Sequence, residues 1–276
     1  MPKTIASMLG AAILFGVSAF APAVFHAQSV PAAAPSLAAP PDFSGVYYPI
    51  QQGRGGAGGA RAGARGGGQR QGAPPRPTAS APLSDGSQGR APNAPQLTPE
   101  YMAKWEMMRK SRMAGSSEFD NSAKCLPPGM PAMMSMAYGM EVMQTKDKIT
   151  FFSELNDALR RVYLDGRTPT QKALDDPTYA GYSTGHWEGN TLVVDTVALH
   201  SKSFIEGFTP HSEAMTVKER IRLTAPDMLE DRITVIDPNA LTMPWETVRT
   251  YRKAMPGSGR DELREFACPE GLDQAK

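Results

Sequence analysis

The chain has 276 residues, of which 41% are hydrophobic and 21% are charged. Its 29 basic and 28 acidic side chains nearly cancel, so no global field would attract a polyanionic partner. No nucleic-acid partner is therefore expected. The composition changes sharply along the chain.

Residues 1–27 have the pattern of a secretory signal peptide. Lys3 precedes an apolar run that begins at Ile5, and small residues follow, with Ala23 or Ala27 before the cleavage point. A membrane anchor is the alternative, but the alanine-rich exit favours removal. We therefore expect a periplasmic or secreted protein with no integral membrane segment after signal removal.

Residues 28–96 are dominated by Ala, Pro, Gly, Gln and Arg, which predicts a disordered segment. RGG-like runs that bind RNA are the alternative, and export argues against it. Within this segment, DFSGVYYPI is rich in β-branched and aromatic residues and predicts a first strand near residues 42–49.

The stretch LTPEYMAKWEMMRKSRMAG, whose first residue is Leu97, predicts an amphipathic helix. Thr98 is the predicted N-cap, and a proline occupies the first helical position. Tyr101, Trp105 and Met108 recur at helical spacing, which predicts one buried face that packs on a sheet.

From about Gly139 the hydrophobic period changes to two, which predicts strands. The predicted strands are MEVMQTK, KITFFSE, ALRRVYLDG, YSTGHW, TLVVDTVAL, MTVKERIRLT, LEDRITVID, WETVRTYRK and LREFACPE. About nine or ten short strands joined mostly by tight turns are typical of an all-β domain with minor α-structure. We predict an antiparallel up-and-down β-barrel over residues 97–276, preceded by the one helix, because closure removes exposed edges.

The alternation of side chains places a charged group inside the barrel. In VKERIRL, Glu219 shares a face with Val and Ile, and a buried carboxylate needs a partner. In LRRVY, Arg161 and Tyr163 share a face, and Arg161 is the candidate partner. The alternative to a functional site is a structural ion pair that plugs a filled barrel.

The strand WETVRTY presents a second interior face. Trp245, Arg249 and Tyr251 share it and combine aromatic rings with polar groups, which is typical of a small-molecule pocket. The candidate ligand-binding residues are Tyr163, His186, Trp245, Arg249 and Tyr251.

The stretch STGHWEGNTLVVDT favours a β-hairpin over a catalytic cluster. Gly189 suits the positive φ of the turn, and Glu188 is a turn residue in solvent. His186 and Trp187 point to opposite faces, so only one of them can face the interior.

His211 lies in a loop beside Glu213 and is a candidate general acid–base. The candidate catalytic residues are therefore Glu219, His211 and Arg161. A capping or solvent-exposed histidine is the alternative. No HxH, HxxxH or HExxH spacing supports a metal site, and no cofactor is expected.

Two cysteines, Cys125 and Cys268, would meet an oxidising compartment after export, where disulfides persist. Only one pairing is possible. A thiolate metal site or nucleophile is the alternative, but the chain has no CxxC spacing.

The chain contains the following motifs, in this order from the N-terminus: DFSGVYY, CLPPGMP, RVYLDGR, GYSTGHWEGNTLVVDT, HSEAMTVKER, DPNALTMPW and EFACPEG. With them the chain resembles a family of exported bacterial proteins of unknown function, apart from Asn190 in the turn and the Gly/Arg-rich insertion. The resemblance implies a lipocalin-like or calycin-like barrel and supports the pairing of Cys125 with Cys268. It implies no reaction.

Three functional hypotheses follow. The first is an exported barrel that binds a small apolar or aromatic molecule. The second is a cofactor-independent lyase, isomerase or hydrolase, in which Glu219 or His211 is the base and Arg161 stabilises an oxyanion. The third is a structural envelope protein with a filled barrel. The oligomeric state stays open.

Overall fold

The computed structural model describes residues 39–50, 90 and 93–267. The chain divides into two units, Met1–Leu37 and Ala38–Lys276, and all described residues belong to the second. The predicted signal peptide and the Gly/Arg-rich stretch from 51 to 89 lie outside the described residues, so both stay predictions.

The described part of the chain forms a closed barrel of nine strands, arranged in the order in which they occur. The strands are β1 (Gly45–Pro49), β2 (Met140–Gln144), β3 (Lys148–Ser153), β4 (Ala158–Tyr163), β5 (Tyr182–Glu188), β6 (Thr191–Val197), β7 (Thr216–Ala225), β8 (Met228–Ile236) and β9 (Trp245–Lys253). The prediction of a mostly β chain with a closed barrel and few helices is confirmed. The first strand near residues 42–49 is also present, as β1.

One strand pair departs from the predicted antiparallel, up-and-down topology. β4 and β5 run parallel, with Val162 opposite Ser183 and Tyr163 opposite Thr184. Parallel neighbours need a long crossover rather than a hairpin. Residues 164–181 form that crossover and contain a short helix, α2 (Gln171–Asp175). The sequence DGRTP is the start of this crossover.

The predicted last strand, LREFACPE, is not a strand over residues 263–267, and its remaining residues lie outside the described ranges. β9 already pairs with β1, where Lys253 lies opposite Tyr47. This pairing uses the last sheet edge, so a further strand has no partner in the barrel.

The long helix is α1 (Pro99–Met113), and its buried residues are Tyr101, Trp105 and Met108, as predicted. Thr98 occupies the N-cap position, but its side chain makes no capping hydrogen bond. Its hydroxyl instead donates to the carbonyl of Asn239 at 3.1 Å, which ties the start of the helix to the loop before β9.

The hydrophobic core lines the inside of the barrel and continues under the helix. One cluster joins inward side chains of the strands to Tyr101 and Trp105 of α1. It also includes Met130, Met133 and Met134, which lie between α1 and β2. Three short 3₁₀ helices complete the described secondary structure: Ser122–Lys124, Ala132–Ser135 and Leu155–Asp157. None of the helices in the described ranges has the length and hydropathy needed to span a membrane.

Candidate functional site

A row of buried polar side chains crosses the inner face of the barrel, one on each of five successive strands. We call this row the inner polar belt, and its members are Arg160 on β4, Ser183 on β5, Thr196 on β6, Glu219 on β7 and Asp231 on β8. Each member occupies an inward position of its strand, where alternation places it among apolar neighbours. All five are fully or almost fully buried.

Arg160 connects most of the belt. Its guanidinium donates to both carboxylate oxygens of Glu219, with Nη1 at 2.8 Å from Oε1. It also donates to Ser183 Oγ at 3.2 Å and to Thr196 Oγ1 at 3.0 Å. The prediction that Arg161 pairs with Glu219 is therefore wrong, because Arg160 takes the inward position of β4 and Arg161 is exposed.

Asp231 completes the belt in a different way. No donor among the described residues reaches its two buried oxygens. Burial, followed by the charge of Glu219, raises the pKa of Asp231 well above its ordinary range. Two carboxyl groups attract each other only when one carries a proton. The raised pKa therefore favours the neutral acid for Asp231 in this buried position beside Glu219.

Arg161 and Tyr163 lie outside the belt, on the opposite side of β4. They line a cleft of about 430 Å³ where β4 and β5 run parallel. We call it the β4–β5 cleft. The residues that line it include Asn156, Asp157, Arg161, Tyr163, Thr178, Tyr179, Gly181 and Tyr182.

The cleft offers aromatic surface and an available cation. The rings of Tyr163 and Tyr182 lie with centroids 5.4 Å apart. Arg167 covers Tyr163 at 4.1 Å and is itself paired with Asp165. By contrast, Arg161 makes no ion pair or side-chain hydrogen bond with any described residue.

Two residues that line the cleft have an uncommon backbone conformation. Asn156 and Asp157 both have positive φ, at 55° and 47°. The amide of Asn156 donates to the carbonyl of Leu126 at 2.8 Å, which holds the side chain in place. Its Oδ1 is buried and accepts no hydrogen bond within the described residues.

Trp245, Arg249 and Tyr251 share one face of β9 as predicted, and both aromatic residues are buried. Their polar atoms are already used by other chain segments: Trp245 Nε1 donates to Asn93 O at 2.6 Å, Tyr251 Oη to Met134 O at 2.5 Å, and Arg249 to Ser135 Oγ at 2.9 Å and to Glu206 Oε1 at 2.5 Å. These contacts fasten the covering loops to the barrel. The polar atoms of these three side chains are therefore engaged by the loops.

The hairpin at Gly189 forms as predicted, with φ of 58° at the glycine. His186, a predicted ligand-binding residue, lies on the outer surface and contacts Glu188 at 3.4 Å. Trp187 takes the inward side and packs edge-on against Phe43, with ring centroids 5.1 Å apart. The larger apolar side chain therefore occupies the interior position, and His186 does not line it.

His211 is buried and not solvent-exposed. Its Nε2 accepts from the hydroxyl of Ser203 at 2.7 Å, and its Nδ1 donates to the carbonyl of Ser212 at 2.7 Å. Burial lowers the pKa of His211, which favours the neutral ring that these two contacts need. Glu213, its predicted neighbour, is exposed and accepts from Ser201 instead.

The three candidate catalytic residues do not form one site. Glu219 lies in the barrel interior, Arg161 lines the cleft, and His211 bonds to Ser203 in a loop. Both Ser203 and His211 are closed off from solvent, at 0% and 3% exposure. No described group of three or more His, Cys, Asp or Glu residues is arranged to hold a metal ion.

Cys125 is not a free thiol. Its predicted partner, Cys268, lies outside the described residues, so the pairing stays a prediction.

The sequence patterns did not identify Asn156, Tyr179 or Tyr182 as cleft residues. All three lie in or next to loops, at the ends of β4 and β5. The available signal was local: PTYAGY places two tyrosines around a glycine directly before a strand.

No protein-family model and no curated protein matches the chain. Two similar solved structures are of the fluorescent protein UnaG. The wild type is 16% identical, with a TM-score of 0.26, over 42% of this chain and 72% of that one. A single-site mutant is 14% identical, with a TM-score of 0.27, over 50% and 88%. At these scores the likeness supports no inference about ligand or activity.

Proposed function

We propose that the protein binds a small aromatic acid in the β4–β5 cleft. The observation that carries the proposal is the guanidinium of Arg161, which no described residue pairs, in the same cleft as the rings of Tyr163 and Tyr182. The cleft volume of about 430 Å³ lies in the range of small-molecule sites. The site therefore combines an anchor for charge with a surface for a ring.

The chemistry of the cleft favours a carboxylate on a planar ring. A guanidinium binds a carboxylate through two parallel hydrogen bonds, which fixes orientation as well as charge. Tyrosine rings provide apolar contact area at low entropic cost and pack on an aromatic ligand edge-on or offset. The barrel supports this arrangement, since Arg161 and Tyr163 belong to β4 and Tyr182 begins β5.

We expect Arg161→Met to weaken salicylate binding at least about tenfold, because the carboxylate loses the one cation that the described residues contribute to the cleft lining. Isothermal titration calorimetry of the full chain with salicylate measures this. Arg252→Met is the matched control, since Arg252 is exposed on β9 and does not line the cleft. Absence of salicylate binding, or equal losses in the two variants, contradicts the proposal.

We also infer export, with the ligand met outside the cytoplasm. The inference rests on the signal-peptide pattern of residues 1–27 and on the cysteine pair. The intact mass of the protein recovered from a periplasmic extract tests both points. Cleavage after Ala23 or Ala27 with a loss of two hydrogens fits export and a Cys125–Cys268 disulfide, whereas an uncleaved chain counts against export.

A further inference from the structure

A second hollow of about 260 Å³ lies next to the β4–β5 cleft, beside α2. The two share Thr178, Gly181 and Tyr182, so they meet along this segment. We call the second hollow the α2 lobe. Lys172 and Asp176 line it and do not line the cleft.

The β4–β5 cleft and the α2 lobe, together the two lobes, have the same types of charged side chain. The cleft has one cation and one carboxylate, Arg161 and Asp157, and the α2 lobe has Lys172 and Asp176. Within the described ranges, none of these four side chains takes part in an ion pair or a side-chain hydrogen bond. Tyr182 is the aromatic side chain that both lobes share.

The segment between the lobes is held firmly against the barrel. Thr178 bonds through its backbone to Ala198 at 3.1 Å and to His200 at 2.9 Å. Gly181 has φ of +67°, and a Cβ there would lie 2.7 Å from Thr196 and 2.8 Å from the carbonyl of Val197. Only glycine allows this close approach, so the backbone between the cleft and the α2 lobe is held in a fixed position.

We propose that the ligand consists of two linked acidic units, with one unit in each lobe and Tyr182 between them. This inference rests on the proposed function, because the first unit is the aromatic acid held by Arg161. Lys172 binds the acidic group of the second unit. Asp157 and Asp176 each accept a hydrogen bond from a hydroxyl of the neighbouring unit.

The proposal predicts a gain from linkage. Once the first unit is bound, the second meets its lobe at high effective concentration, so a linked pair binds more tightly than a single unit without any new kind of contact. We expect methylenedisalicylate, which joins two salicylate units, to bind the wild-type chain at least about tenfold more tightly than salicylate. Isothermal titration calorimetry measures both affinities.

Lys172→Met tests the α2 lobe independently of the cleft, because Lys172 lines only the α2 lobe. We expect it to reduce the affinity for methylenedisalicylate to nearly that for salicylate, and to leave salicylate binding within about twofold of the wild type. Lys110→Met is the control, because Lys110 is an exposed lysine near the end of α1. Arg161→Met should weaken both compounds.

Each opposing result has a distinct meaning. If methylenedisalicylate binds no more tightly than salicylate, while Arg161→Met still weakens salicylate, the two-unit ligand is wrong and the proposed function stands. Equal weakening of both compounds by Lys172→Met also overturns it, since that indicates a general charge effect. If neither compound binds, the proposed function fails and this inference fails with it.

Discussion

Replacing Arg160 by methionine will lower the free energy of unfolding by about 3–5 kcal/mol, because the substitution leaves the Glu219 carboxylate buried without its cation. Glu219 has no exposed surface, and both of its oxygens accept from Arg160. Removing one partner of such a pair costs far more than the net contribution of the pair itself. Ser183 and Thr196 lose a donor at the same time.

The adjacent residue provides the matched control. Arg161→Met makes the same chemical change one position along β4, on the exposed side, and we expect stability to change by less than about 0.5 kcal/mol. Urea unfolding followed by circular dichroism measures both variants. Comparable losses would show that Arg160 has no special role. A double variant, Arg160→Met with Glu219→Leu, should recover part of the loss, since it removes both charges together.

Asp231 will make the protein less stable as the pH rises, and Asp231→Asn will remove that dependence. The folded-state pKa of Asp231 is raised above its ordinary value of 3.8, so the folded chain keeps a proton that the unfolded chain releases. The contribution to stability is therefore complete below about pH 3.8 and is lost as the pH rises toward the folded-state pKa, by up to about 1.4 kcal/mol per pH unit.

An asparagine keeps the favourable contact without the titration. Its amide is neutral at every pH and has N–H groups that are able to donate to Glu219. The stability of Asp231→Asn relative to the wild type should thus increase as the pH rises from about 3.8 toward the raised folded-state pKa of Asp231. Asp227→Asn, at an exposed carboxylate of the β7–β8 turn, controls for the loss of an acid. Parallel stability curves for Asp231→Asn and the wild type would contradict a neutral Asp231.

Alternation of side chains predicted the inner faces of β7 and β9, because each has several large apolar residues on one side. It failed on β4, where Leu159 and Tyr163 suggested the wrong inner face. Leu159 is 38% exposed, and the smaller Ala158 and Val162 point inward. The pattern RR offers a cation to either side, and only the position of Glu219 across the barrel decides which arginine is buried. That contact is not local, so the sequence of β4 does not contain it.

The cleft could not be predicted for a related reason. It lies where β4 and β5 run parallel, and the crossover between them brings Gly181 close to β6. Strand pairing of this kind depends on the whole barrel. The helix α1 depends on its own residues, and its buried face was predicted in full.

The closure of the barrel by β1 separates chain order from spatial order. β1 pairs with β2 and with β9, and Lys253 at the end of β9 lies opposite Tyr47 near the start of β1. A permuted chain that begins before α1 and carries β1 after β9 could join these two strands by a hairpin and keep every strand pair. The closing contact would then be local, and the lower contact order favours faster folding. In the native order, β1 is the strand whose closing contact with β9 spans nearly the whole described chain.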